Sequence, residues 1–347
     1  MTRPATISKI ALLSAVSSAA LLSMSPAHAQ LGDPTVLSGF GSSVATADPG
    51  DAGRNLTQTI TQTSARLVLE WDSMDIASDQ SVIFNQAATT NIAVNRIVGG
   101  AVDGTQIDGI LSANGNVWVI DPNGITFGAN ANVDVNGLLA TTADFADFND
   151  PDPAIYDAEN TAFVFGGAVN LVFDVEGTAG ATIDTAALDA ANINGGISAG
   201  AGGVKLIAEG IDHQGLIEIS NPVGVVELVG AAGNGSQVFT LTVDASNGAG
   251  LVQVPVSTDA STVELAGRIA ASGGTVRITA AGASAAIQNV VSTGTVIEAD
   301  TVTMQSDGTI SLTNAANDFT GSVDASGTSI SLTDTNSIEL GDIDTGG

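Results

Sequence analysis

Ile197-Ser198-Ala199-Gly200-Ala201-Gly202-Gly203-Val204-Lys205-Leu206 is answered further along the chain by Ile269-Ala270-Ala271-Ser272-Gly273-Gly274-Thr275-Val276-Arg277-Ile278. Each phrase has an apolar opening, a glycine-centred break and a second apolar run. A third version, two residues longer, runs from Ile217-Glu218-Ile219-Ser220 to Val225-Val226-Glu227-Leu228. Adjacent copies therefore lie about 20 residues apart, a period that suits one turn of a three-sided solenoid. Strand spacing alone also fits a sandwich or a barrel, and it is the repetition that selects the solenoid.

The rest of the chain reads the same way. Short strands recur at Gly109-Ile110-Leu111-Ser112, Asn116-Val117-Trp118-Val119-Ile120, Gly124-Ile125-Thr126-Phe127 and Val133-Asp134-Val135, separated by Asn, Gly, Asp or Pro. Glycine accounts for 41 of 347 residues, well above the usual share of about 7%. The expected fold is all-β, a right-handed parallel β-helix with an N-terminal cap. At about 22 residues per coil, the mature chain would make roughly 14 coils and rise ~65 Å at the strand spacing of a sheet. Most of the aromatic residues lie between Phe40 and Phe173, which points to an irregular, separately packed first part. The acidic stretch 141–159, with Asn149-Asp150-Pro151-Asp152-Pro153, reads as an excursion from the coils. The phrase from Asn317 to Gly347 still reads as open repeat with no polar cap, so the stack is expected to continue beyond it.

The first residues carry an export signal. Arg3 and Lys9 precede an apolar stretch from Ile10 to Leu22, and Ala27-His28-Ala29 is a small-x-small cleavage site, so the mature chain begins near Gln30. The stretch is too short to span a membrane, which takes about 20 apolar residues. Removing the leader takes two of the eight basic residues and none of the 37 acidic ones. So acidic a chain is a poor partner for nucleic acid, whose phosphates need Lys and Arg; the acidity fits solubility outside the cell. Calcium at the surface carboxylates stays open on composition alone. There is no cysteine, so stability must come from stacked strands rather than from disulfides.

The chemistry-bearing residues point away from catalysis. His213 is the one histidine after the leader and sits in Gly210-Ile211-Asp212-His213-Gln214-Gly215, which reads as a solvated turn rather than a catalytic base. One histidine and no cysteine disfavour zinc, and neither a metal nor a cofactor is expected. Acid pairs such as Asp72 and Asp75, or Asp144 and Asp147, have no context that marks them as catalytic. Trp71, Trp118 and Phe127 read as core or cap rather than as a sugar-stacking platform. The glycines at 99, 100, 202, 203, 273 and 274 open no helix and read as turn residues. Asp121-Pro122-Asn123-Gly124 is a turn, with Pro fixing φ at its second position and Asn-Gly able to take left-handed conformations later in it.

Taken in order, these segments resemble a known family. Leu56-Thr57-Gln58-Thr59-Ile60-Thr61-Gln62-Thr63-Ser64 resembles the opening of two-partner-secretion exoproteins of the filamentous haemagglutinin family, followed by Leu67 to Ile76. Val82-Ile83-Phe84-Asn85-Gln86, Val94-Asn95-Arg96-Ile97-Val98-Gly99-Gly100 and Gly109 to Gly115 continue it, and Asp121 to Gly128 resembles its Asn-Pro-Asn-Gly-Ile signature. Asp121 replaces the usual Asn, an isosteric change, and the earlier Asn-Pro-Asn-Leu motif of some members has no match. The resemblance implies a secretion domain at residues 30–250 behind the leader 1–29, with shaft repeats at 251–347. It implies partner recognition at Asp121, Pro122, Asn123, Gly124 and Ile125 by an outer-membrane β-barrel transporter with periplasmic binding domains. The product would be secreted across the outer membrane of a Gram-negative-type bacterium, as an adhesin-like, non-enzymatic exoprotein. A polysaccharide-active β-helix enzyme, and a secretion domain leading a toxin or an iron-carrier-binding cargo, are the other readings.

Overall fold

The computed structural model describes residues 34–36, 43–48, 57–99, 103–144, 169–173, 177–189, 192, 195–231, 238–243, 252–253, 261–281, 285–289 and 296–346. The leader and the acidic stretch beyond Asp144 lie outside them. Among the described residues every regular element is a strand, and the main ladders are parallel. Three faces build a parallel β-helix, as the repeats require.

Two short strands cap its start. β1 (Thr35–Val36) runs antiparallel to β4 (Arg66–Trp71), and β2 (Ser43–Asp48) antiparallel to β3 (Thr57–Gln62). Each thus occupies an edge that a solenoid would otherwise leave open to pairing with another chain. The first face continues from β3 through β5 (Ser81–Gln86), β8 (Ile110–Ala113), the first halves of β11 (Asn132–Thr141) and β14 (Gly196–Ala208), and β16 (Leu216–Ile219), and runs on into the opening residues of the three long strands at 268–280, 296–306 and 318–326. The second face runs from β4 through β6 (Ile92–Ile97), β9 (Asn116–Ile120), the second halves of β11 and β14, and β17 (Val225–Gly230). It goes on through β21 (Arg268–Ala280), β23 (Val296–Ser306), β25 (Asp318–Ser326) and β27 (Glu339–Asp344). The third face stacks β7 (Thr105–Ile107), β10 (Ile125–Phe127), β13 (Thr182–Thr185), β15 (Gly210–His213), β20 (Thr262–Leu265), β22 (Ala286–Asn289), β24 (Thr309–Leu312) and β26 (Ser329–Leu332).

The three repeated phrases fall on successive coils in register. Ile197 pairs with Ile217 and Ile217 with Ile269; Val204 pairs with Val226 and Val226 with Val276. One inward column of the second face runs Leu67, Ala93, Val117, Leu138, Val204, Val226, Val276, Val302 and Val323. All nine are buried and belong to one continuous core. Each Leu or Val of the column is worth roughly 1.5–3 kcal/mol of burial, which it gains only with the neighbouring coils in place, so the coils stand or fall together.

The outward column one residue along explains where the fold departs from a plain solenoid. It reads Val68, Val94, Trp118, Leu139, then Lys205, Glu227, Arg277, then Thr303 and Asp324. Its first four members are apolar and would be wet on a bare stack. A separate antiparallel sheet of β12 (Val169–Phe173), β18 (Phe239–Val243) and β19 (Val252–Gln253) supplies the apolar cover. Leu171, Phe173, Phe239, Leu241 and Val243 join Val68, Val94, Trp118 and Leu139 in a second core, with Phe173 and Phe239 stacked at 4.2 Å.

Two expectations are corrected here. The second face holds ten rungs among the described residues, β4, β6, β9, β11, β14, β17, β21, β23, β25 and β27, rather than 14 coils. The chain goes into the covering sheet between β11 and β14 and again between β17 and β21. Nor is the aromatic-rich first part packed apart. Among the described aromatics, Trp71, Phe84 and Phe127 fill the interior of the stack itself, while Phe173 of the covering sheet packs over the outward side that carries Trp118.

Candidate functional site

Residues 121–125 connect the second face to the third, between β9 and β10. The Asp121 carbonyl accepts the Gly124 N–H at 3.1 Å, closing a four-residue turn with Pro122 in the second position. Asp121 Oδ1 also accepts the Asn123 N–H at 2.9 Å, and Oδ2 accepts the Thr105 hydroxyl at 2.7 Å. Only Gly124 takes a positive φ, +118°; Asn123 stays at negative φ, so the left-handed conformation foreseen for Asn-Gly falls on glycine alone. Ile125 is buried as the first residue of β10, paired with Thr105 before it and Ile183 after it.

The structure therefore places the five expected site residues together but turns most of them inward. Asp121, Gly124 and Ile125 are buried, and only Pro122 and Asn123 keep a partly exposed edge. That edge is engaged by the chain returning from the covering sheet. Thr178 N–H donates to the Pro122 carbonyl at 2.6 Å and its hydroxyl to Asn123 Oδ1 at 2.9 Å. Burial raises the Asp121 carboxyl above its ordinary 3.8, and the bonds from Asn123 and Thr105 work against that rise.

This geometry accounts for Asp where the resembling family has Asn. An asparagine oxygen would keep the bond from Asn123 N–H, and its amide would donate to the Thr105 oxygen. Because the folded carboxyl titrates above 3.8, its contribution to stability is fully present below pH 3.8 and is lost as pH rises through the folded value. Asp121→Asn is expected to match the parent near pH 3.5 and to exceed it at pH 7, read as urea midpoints. A variant that loses ground as pH rises would refute this account.

The other resembling segments also become legible as structure. Gln62, Gln86, Asn91 and Asn116 form an amide ladder at the corner between the first and second faces. Gln86 Nε2 donates to Gln62 Oε1 at 2.8 Å, and Asn116 Nδ2 to the Asn91 carbonyl at 3.2 Å. Asn114 exchanges two bonds with the Gln86 backbone, at 2.7 and 2.8 Å. Asn95 is fully buried, accepting from Trp71 Nε1 at 3.0 Å and donating to the Trp118 carbonyl at 3.0 Å. Both tryptophans are core, Trp71 inside the stack and Trp118 on its outward side beneath the covering sheet, and neither offers a sugar platform.

Two groups need correction. His213 is not a solvated turn residue: it is fully buried at the end of β15, stacked between Thr185 and Leu265. Its Nε2 faces the Arg268 carbonyl at 3.1 Å, which can only accept, so that nitrogen carries the proton. Nδ1 then accepts the Thr185 hydroxyl at 2.7 Å. Asp144 is not an idle acid either. Arg96 grips it with Nε at 3.1 Å and Nη2 at 2.7 Å, and reaches Glu70 with Nη1 at 2.9 Å. Asp147 lies outside the described residues. Asp75 holds the Gln106 N–H at 2.8 Å and the Ser73 hydroxyl at 2.9 Å.

The alternative of a polysaccharide-active β-helix calls for a concave groove lined with clustered Asp and Arg side chains, and the first face carries a groove. It measures about 360 Å³ and is lined by Asn132, Asp134, Ser198, Leu216 and Glu218, with no Arg, Lys or His among its lining residues.

The described residues thus form a capped parallel β-helix whose second face is covered by an antiparallel sheet, with an Asx-Pro-Asn-Gly turn at a coil corner, the architecture of a solenoid domain. The chain belongs to the TPS secretion domain family, whose model matches residues 41–346. It is similar to a heme/hemopexin-binding protein of Haemophilus influenzae, 42% identical over 86 residues, 25% of this chain and 9% of that one. A second protein of that description, from Haemophilus influenzae strain Rd, is 36% identical over 104 residues, 30% of this chain and 11% of that one. The chain thus spans about a tenth of the length of these curated relatives. Among solved structures, the HMW1 secretion domain from Haemophilus influenzae superposes with a TM-score of 0.55 at 20% identity, over 92% of this chain and 84% of that one. The filamentous haemagglutinin secretion domain does so with a TM-score of 0.52 at 14% identity, over 92% and 98%. TPS secretion domains work with an outer-membrane transporter, and their exoproteins cross the outer membrane of Gram-negative bacteria.

Proposed function

We propose that this domain is the non-enzymatic address of a larger exoprotein, engaged through Asp121, Pro122, Asn123, Gly124 and Ile125 by the periplasmic domains of an outer-membrane β-barrel transporter. Family membership over residues 41–346 carries the reading. A physical complement supports it: the inward column of each coil is buried by the coils next to it, so folding outside the cell can proceed coil on coil and make export directional. The turn at 121–124 is then read before the returning segment at Thr178 closes over it. The exported product is surface-exposed or released and adhesin-like. The division proposed at residue 250, between secretion domain and shaft, is one of role rather than packing, since β21 stacks directly on β16 and β17. The relatives' printed name raises an iron-carrier-binding cargo as the other reading, but the shared part is about a tenth of their length, so it bears on export more than on what the remainder binds.

The test is release of residues 1–347 into the medium with and without the transporter, for the parent and for Asn123→Ala. The Asn123 side chain accepts an exposed bond from Thr178 and donates a long one, 3.3 Å, to Asp121 Oδ1, so its loss should cost about 1 kcal/mol of stability. Release of the variant is expected to fall by about tenfold, the effect of losing one strong contact in an interface, with the urea midpoint little changed. Release that is independent of the transporter removes the reading. A midpoint that falls in step with release returns Asn123 to a purely structural role.

A further inference from the structure

A second turn repeats the hydrogen bonding of residues 121–124. Asn221-Pro222-Val223-Gly224 joins β16 to β17, with Gly224 N–H donating to the Asn221 carbonyl at 2.9 Å and Val223 N–H to Asn221 Oδ1 at 3.1 Å. The corresponding bonds at Asp121 are 3.1 and 2.9 Å. What the two turns show to solvent is different. Thr178 takes the outward polar atoms of the first, whereas Pro222 and Val223 are both exposed, Val223 to 71%. No other large hydrophobic side chain among the described residues is so exposed.

Its neighbours along the stack leave it standing proud. The corner of the preceding coil is Gly200-Ala201-Gly202-Gly203, and that of the following coil is Ser272-Gly273-Gly274. Both close up tightly. A Cβ on Gly224 would lie 2.7 Å from the Gly200 carbonyl oxygen, and one on Gly273 would lie 3.0 Å from Pro222 Cβ. The flanking backbones support the turn from both sides and contribute almost no side chain that could cover the valine.

The fold has no need of a bulky apolar tip. At Asn314-Ala315-Ala316-Asn317 the same two bonds form, Asn317 N–H to the Asn314 carbonyl at 3.2 Å and Ala316 N–H to Asn314 Oδ1 at 2.9 Å, with alanines between. Asparagine in the first position suffices to make the corner. Proline and valine at the tip instead give a stiff apolar knob, which loses little conformational freedom when it enters a pocket. Both hydrogen bonds are local, so the turn can form whether or not the coils around it are stacked.

We propose that Pro222-Val223 is a second docking element for the outer-membrane transporter, received by a small apolar pocket on its periplasmic portion. The proposal rests on the secretion reading above. It differs from the 121–125 site in remaining presented after the coil has folded, so the transporter keeps a hold on the domain when Thr178 has closed the first turn.

Transporter-dependent release of residues 1–347 should fall by about tenfold in Val223→Asp, as for a central contact in an interface. It should stay at the parental level in Val223→Ile. The urea midpoint of Val223→Asp should equal the parent's, since the side chain touches no core. Release of Val223→Asp at the parental level, while the parent still depends on the transporter, overturns this proposal and leaves the secretion reading standing. A midpoint lowered in parallel with release, or self-association of the parent that Val223→Asp abolishes without touching release, also overturns it. Transporter-independent release of the parent would take down both.

Discussion

Arg96→Met is expected to lower stability by about 3 kcal/mol, because it strips two carboxylates of the cation that holds them. The guanidinium is 1% exposed, against 12% for Asp144 and 22% for Glu70. The solvent edge kept by both acids sets the loss at the lower end of the range for a broken buried pair, ~3–5 kcal/mol. Asp144 lies three residues past the end of β11, in the connection toward β12 of the covering sheet, so the ion pair ties the end of β11 to β6. Urea midpoints of Arg96→Met, Asp144→Asn and the double variant form the test. The double variant should be much less destabilised than the sum of the singles, with a coupling on the order of 1–3 kcal/mol. Additive losses, or a loss below about 1 kcal/mol in Arg96→Met, would show that the cluster is spectator to the fold.

Why this clamp escaped the sequence is instructive. Arg96 and Asp144 are 48 residues apart, and nothing local marks either as a partner; an ion pair is legible only once the coils are drawn. The repeats were different, because Ile197, Ile217 and Ile269 carry their register in their spacing, and the stack reproduces it. The covering sheet lay between these extremes. Its own strands are short and unremarkable, yet the strands it covers announce it. Asn116-Val117-Trp118-Val119-Ile120 is buried on both faces, whereas Thr275-Val276-Arg277-Ile278-Thr279 alternates. A run apolar on both faces demands a cover on each, and burial on both faces persists through β14 and β17, where Ile207 and Val229 still lie in the covered core, before giving way to alternation at β21. The turn at 121–124 was readable as a turn from Pro and Gly, but its occlusion by Thr178 was not, since that depends on where a segment 55 residues later returns.

His213 was misread for a related reason: glycines at 210 and 215 made a four-residue strand look like a loop. Its two alternating inward positions, Ile211 and His213, were the signal that the imidazole is core. The consequence is a pH dependence with a definite sign. Burial lowers the His213 pKa from 6.5 to about 4, against smaller opposite pulls from the Arg268 carbonyl and Asp212. The unfolded chain therefore binds a proton between those values that the folded chain refuses. Stability is fully present above pH 6.5 and falls as pH drops toward 4, by about 3 kcal/mol in all. Asp121 and Asp184 act in the opposite sense near the acid end. Both are raised above 3.8 chiefly by burial, and each contributes stability present below 3.8 that is lost as pH rises through the folded value. The histidine's share is isolated by subtracting His213→Gln from the parent at each pH, with urea midpoints taken from pH 7.5 down to 4. The difference should change steadily between 6.5 and 4 in the direction of the parent losing its advantage. Parallel curves would mean that the imidazole accepts its proton without disturbing the coil, and that the bonds to Thr185 and Arg268 do not hold it neutral.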